Sequence, residues 1–139
     1  AITPACGAVT PVGAIAVGAI AGAICVYAVG LKSKFGYDDS LDVVGVHLVG
    51  GVIGTLLIGF FASESMPNAT NGLFYGGGVD QLWRQAVAAF AVMAYSFVVA
   101  FAIAFALKKT MGIRISPEEE EKGIDSAFHR ESSYELAST

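Results

Sequence analysis

Three stretches of this chain carry no charged residue: residues 12–31, 43–63 and 85–107. Each is about 20 residues long, the length a helix needs to cross roughly 30 Å of hydrocarbon. A buried helix of a soluble domain can be as apolar, but three of them in 139 residues leave little room for a soluble exterior. Only 14% of the residues are charged and the mean hydropathy is +0.64. A soluble domain of this size usually has about a quarter of its residues charged. The expectation is an all-α integral membrane protein: a short apolar stub followed by three transmembrane helices.

The net charge of −4 is dominated by the carboxy-terminal tail and says little about partners. The expected surroundings are a lipid bilayer, with no nucleic acid. Cys6 and Cys25 show no metal-type spacing and no disulfide framework, and read as small buried hydrophobes. No metal or other cofactor is expected, and nothing points to an enzyme. The chain opens "AITPACG", already apolar and without an initiator methionine, as the carboxy-terminal piece of a longer polypeptide would.

Turn and charge signals divide the chain into a stub (residues 1–9), helix one (about 12–31), a polar link "KSKFGYDDSLD", helix two (about 42–63), a loop, helix three (about 83–110) and a charged tail. In domain terms this is a transmembrane part, 1–116, and a tail, 117–139. Pro11 suits a first helical turn. Asp39 is placed to cap helix two, and Asp39 and Asp42 both favour the positive end of its dipole. Lys32 and Lys34 in the link, and Lys108, Lys109 and Arg114 after helix three, put link and tail in the cytoplasm. The loop would lie outside, with Trp83 as an interfacial anchor and "NAT" at Asn68 as a weak glycosylation signal. Ala14, Gly18 and Gly22 on helix one, and Gly50 and Gly54 on helix two, form small-residue stripes of the kind that pack helices in lipid. Helix three instead offers Phe90, Phe97, Phe101 and Phe105, so helices one and two are expected inside and helix three at the periphery.

His47 sits within helix two among glycines. On a helix, positions 43, 47, 50, 51 and 54 share one face, which is expected to meet protein or a cavity and not lipid. Ionisable residues within the membrane are costly and usually functional, so His47 reads as lining a pathway for an ion or polar molecule. An imidazole can donate, accept and relay a proton near neutral pH. The competing reading is a neutral histidine hydrogen-bonded between helices as packing glue. Val43, one turn earlier, would line the same face or simply make an apolar contact. Asp42 reads as a helix cap or a support at the pathway entrance.

"DVVGVHLVGGVIGT" resembles the tenth transmembrane helix of the ammonium transporters (Amt/Mep, related to the Rh proteins), which carries Asp-x-x-Gly-x-His, here Asp42, Gly45 and His47. "AITPACGAVTPVGAIAVGAIAG" is similar to the end of their eighth helix and their ninth. "KKTMGIRISPEEEEKGID" is similar to the junction into their cytoplasmic tail, with Gly112, Arg114, Gly123 and Asp125 in place. "SAFHRESSYE" keeps His129, Glu131 and Tyr134, with Arg130 where a glycine is usual.

That resemblance implies a part of an eleven-helix fold that assembles as a homotrimer in the cell membrane, carboxy terminus inside. Each subunit would have a narrow apolar pore for ammonium or ammonia, with two hydrogen-bonded histidines at mid-membrane. His47 would be the second of that pair. The tail would pack on the cytoplasmic face and could help a PII-type signalling protein dock. Composition alone makes the tail a solvated extension, although Ile124, Phe128, Tyr134 and Leu136 add apolar groups that such an extension does not need. Two rivals are a non-transporting small assembly subunit and a haem-binding subunit with His47 as ligand.

Overall fold

Helices account for all three apolar runs. The computed structural model describes residues 2–67 and 69–129; Asn68 of the glycosylation triplet and Arg130, Glu131, Tyr134 and Leu136 of the tail lie outside the described residues. A short helix α1 (Ile2–Ala5) precedes α2 (Pro11–Phe35). A six-residue π-helix, Val43–Leu48, then runs directly into α3 (Val49–Phe61). After a single 3-10 turn, Leu73–Tyr75, come α4 (Asp80–Thr110), α5 (Pro117–Lys122) and a π-type turn, Asp125–His129. The helix α2, the joined helix Val43–Phe61, and α4 are each long and apolar enough to cross a membrane. Among the described residues there is no β-strand, only a lone antiparallel bridge between Val9 and Ala62.

Local chemistry sets the helix ends. The Thr10 hydroxyl accepts from the Gly13 N–H at 3.2 Å, and Pro11 takes the first turn, where its missing N–H costs nothing. The helix expected over 12–31 continues to Phe35, because Lys32 and Lys34 are favourable at its negative end and Gly36 stops it at φ 67. The second helix ends at Phe61 rather than near 63. Ala62 turns extended, and the Ser63 N–H donates to the Ala8 carbonyl at 3.1 Å. The third begins at Asp80, a turn earlier than expected, with that carboxylate at the positive end of the dipole.

The first compact unit, Ala1–Tyr95, is organised around α1, α2 and α3. Its core lies where the start of α2 meets the end of α3: Ala5, Ala8, Val9, Val17, Ile58 and Ala62. At the other end of the pair, a β-carbon on Gly45 would fall 2.9 Å from Val29 Cγ2 and 3.0 Å from its backbone, so only glycine fits there without a shift. Gly59 likewise brings α3 against Leu82 of α4, whose Cα would lie 2.5 Å from an added β-carbon. The buried row on α2 is Gly13, Val17, Ala21 and Ala28, not the expected Ala14, Gly18 and Gly22. Gly18 and Gly22 face open space in this chain.

The second unit, Ser96–Thr139, contains the rest of α4 and the described tail. Phe97, Phe101 and Phe105 stack along α4 with ring centroids 6.1 and 6.3 Å apart, and the Lys109 ammonium lies 5.7 Å from the Phe105 centroid. No described residue of α4 is buried in this chain.

Candidate functional site

His47 and Val43 both lie in the π-helical segment, and that segment changes the face they present. The buried positions of this helix are Gly45, Gly50, Gly54, Ile58 and, beside the last, Gly59. A spacing of five followed by fours is what a wider π turn feeding an α-helix produces. His47 and Val43 are exposed in this chain, so the expectation that His47 shares the packed face with Gly50 and Gly54 is corrected. Gly51 and Thr55 follow later on the same helix, in α3. Those two residues line an apolar groove together with Pro4, Val52, Ala88 and Val92.

The start of the segment is held by three charged residues. The Asp39 carboxylate accepts from the Val43 N–H at 2.7 Å and from the Val44 N–H at 2.9 Å, capping two of the first free donors of the helix. Asp42 stands at the N-cap position of the segment, but its side chain makes no capping hydrogen bond. Its carboxylate pairs with the Lys32 ammonium at 2.6 Å, and Lys32 also donates to the Asp39 carbonyl at 3.2 Å. Asp42 has a left-handed backbone, φ 55 and ψ 33, alone among described non-glycine residues in having positive φ. The Cys25 thiol lies 4.0 Å from the Val46 carbonyl, a further contact between α2 and this segment.

In the tail, Gly112 ends α4 at φ 74 and donates to the Leu107 carbonyl at 3.1 Å. One Arg114 nitrogen reaches both Glu120 oxygens, at 3.1 and 3.2 Å. Between them Ser116 and Glu119 form a reciprocal capping box on α5: each side chain bonds the other's backbone N–H, at 3.3 and 3.1 Å. These bonds hold the Glu119 carboxyl below its ordinary range, the Ser116 backbone N–H contributing most and the hydroxyl next. Gly123 caps α5 at φ 84 and ψ 141. Asp125 opens the last turn and an exposed His129 closes it, while Tyr134 lies outside the described residues. Ile124 and Phe128 are more than half exposed.

The His47 segment and the tail residues are thus separate groups along the sequence, the start of each held by its own local bonds. Among the described residues no cluster of His, Cys, Asp and Glu is placed to hold a metal ion. Sequence reasoning missed the capping box, although Ser-Pro-Glu-Glu at 116–119 is its signature. It also missed the Lys32–Asp42 pair, which closes across a link and leaves no local signal.

A family model for the Ammonium Transporter Family matches residues 1–134. The ammonium transporter of Mycobacterium tuberculosis is 52% identical over 143 residues, covering 99% of this chain and 30% of that protein. That of Bacillus subtilis is 43% identical over 137 residues, covering 97% of this chain and 34% of the relative. The ammonium transporter of Corynebacterium glutamicum is 42% identical over 138 residues, covering 99% and 30%. The chain therefore spans about a third of the length of these relatives. With the matched region running from the stub through all three membrane-length helices into the tail, the chain belongs to the Ammonium Transporter Family.

Proposed function

We propose that this chain forms part of a pathway that moves ammonium or ammonia across a membrane, with His47 as a residue of that pathway. The observation that carries the reading is His47 itself, on the same continuous helix as Gly51 and Thr55. It is an ionisable group, unburied in this chain, on a membrane-length helix whose later residues Gly51 and Thr55 line an apolar groove. The π-helical backbone around His47 fits the same reading, since such irregular turns are often found at functional sites. Family membership and the relatives' names supply the substrate.

The chemistry follows from solvation. Carrying a bare charge to the bilayer centre costs about 2.5–3.5 kcal/mol on insertion scales and more than 10 in simulations. An ammonium ion can avoid that cost by giving up its proton, because neutral ammonia passes an apolar pore. An imidazole on the wall can accept or share that proton. Apolar neighbours such as Val43 and Val46 keep the surroundings poorly solvating. Potassium is similar in size but has no proton to release, so it stays outside.

The wider reading is a second pore histidine paired with one elsewhere in a full-length homotrimer in the cell membrane, with the tail cytoplasmic and open to a PII-type partner. Lys32, Lys34, Lys108, Lys109 and Arg114 support that orientation. The test is reconstitution of the full-length protein in liposomes, reading lumenal pH after an ammonium gradient and then after a potassium gradient. Selective response to ammonium supports the proposal. Equal responses, or none from correctly folded protein, would overturn it.

A further inference from the structure

Resting on the reading of His47 as a pathway residue, we propose that Lys32 is a positioning residue for His47, its ion pair with Asp42 holding Val43–Leu48 in the π register. Lys32 stands in the last turns of α2, yet its ammonium reaches both residues that begin the next helix. It pairs with the Asp42 carboxylate at 2.6 Å and donates to the Asp39 carbonyl at 3.2 Å. The Asp39 carboxylate, in turn, holds the Val43 and Val44 N–H groups. One cation therefore ties the end of α2 to the entry of the His47 segment.

Two features of that entry need such a tie. Asp42 sits in the left-handed region, where a residue with a β-carbon is strained and persists only if its surroundings hold it. The six residues that follow adopt a π-helix, a rare alternative to the α-helix. Their C-terminal continuation is anchored, because Gly50, Gly54 and Ile58 are buried. Gly45 packs on Val29 but has no side chain to interlock, so that contact sets the separation of the helices and leaves rotation free. If the pair is lost, Asp42 can leave the left-handed region and the segment can close to the tighter α pattern. The rotation then falls on Val43 and His47, which change the direction they face relative to the anchored Gly50 and Gly54.

Exposed ion pairs usually contribute little. This one is different in being partly sheltered, with side-chain exposures of 29% and 32%, and in closing directly on a strained residue. Its expected effect is on geometry and rate more than on whether the chain folds.

The experiment compares wild type, Lys32→Gln, Lys32→Arg, Asp42→Asn and His47→Ala in the full-length protein. It determines the structure by electron cryo-microscopy and measures concentration-dependent methylammonium uptake per folded protein. Lys32→Gln is expected to replace the π pattern by α-helical bonds, rotate the His47 ring relative to the buried Gly50 and Gly54, and lower maximal uptake about fivefold with little change in KM. Lys32→Arg is expected to retain the wild-type register and rate. Asp42→Asn, which tolerates the left-handed backbone, is expected to show the same displacement in milder form, and it serves if Lys32→Gln fails to fold. A Lys32→Gln or Asp42→Asn structure with the π segment and imidazole unmoved would overturn the assignment, whatever the uptake. If the ring moves in Lys32→Gln while His47→Ala transports normally, the positioning role stands and the pathway reading falls.

Discussion

A β-carbon at Gly45 would meet Val29 at 2.9–3.0 Å, whereas one at Gly18 or Gly22 would meet nothing within 4 Å. The three glycines look alike in the sequence and should respond differently to the same change. Gly45→Ala must push α2 and the His47 segment apart, an overpacking cost of about 1–3 kcal/mol. Gly18→Ala should be neutral or slightly stabilising, since alanine is the better helix former. Thermal unfolding of the full-length protein in detergent checks both, with a lower midpoint expected for Gly45→Ala alone. A drop of equal size at Gly18 would show that its open face is covered in the assembled protein. At this scale the sequence located His47 and the small residues but not the faces they occupy. Face assignment assumed 3.6 residues per turn, and the π segment breaks that count between Gly45 and Gly50.

At the scale of elements, the three membrane-length helices were legible because charge-free runs of that length have few other uses. Their ends were less so, being set by partners distant in sequence, as when Ser63 pairs with Ala8. The tail shows the opposite failure: a local signal was present and composition concealed it. Four consecutive acids suggest a solvated coil, yet Ser116 and Glu119 close a capping box on α5. Ser116→Ala should destabilise that helix by about 1 kcal/mol, read as faster amide exchange at Glu119 and Glu120. The box should also depend on pH. A carboxyl whose folded value is depressed contributes stability above its unfolded value and loses that contribution as pH falls through the folded one. Protection of these amides should therefore hold at neutral pH and disappear in acid, and protection that rises on acidification would contradict the box. Gly123→Asp places a β-carbon at φ 84, which strains the turn after α5. We expect it to lower uptake or PII-type partner binding in the full-length protein. Uptake and pull-down equal to wild type, both for Gly123→Asp and for a truncation after Ser116, would reduce the tail to a solvated extension.

For the whole molecule, most large side chains of α4, including Trp83, Phe90, Phe97 and Phe101, are more than half exposed in this chain. Such a surface requires lipid or further protein around it. Residues 1–139 alone should therefore not conduct, because three membrane-length helices with an open groove enclose no pathway. Ammonium flux in liposomes holding only this chain would contradict that. What the sequence could not supply at this scale is the groove itself, which depends on the approach of α4 to α3 at Gly59 and Leu82. The central claim is that His47 serves a pathway and is not merely packing between helices. Methylammonium uptake by the full-length protein, normalised to the folded protein recovered in detergent, tests it most directly when His47 is changed to Ala and to Glu. We expect His47→Ala to keep the fold and change uptake, and His47→Glu to keep uptake while excluding potassium less well. Loss of folded protein in His47→Ala, with uptake per folded protein unchanged, would contradict the claim.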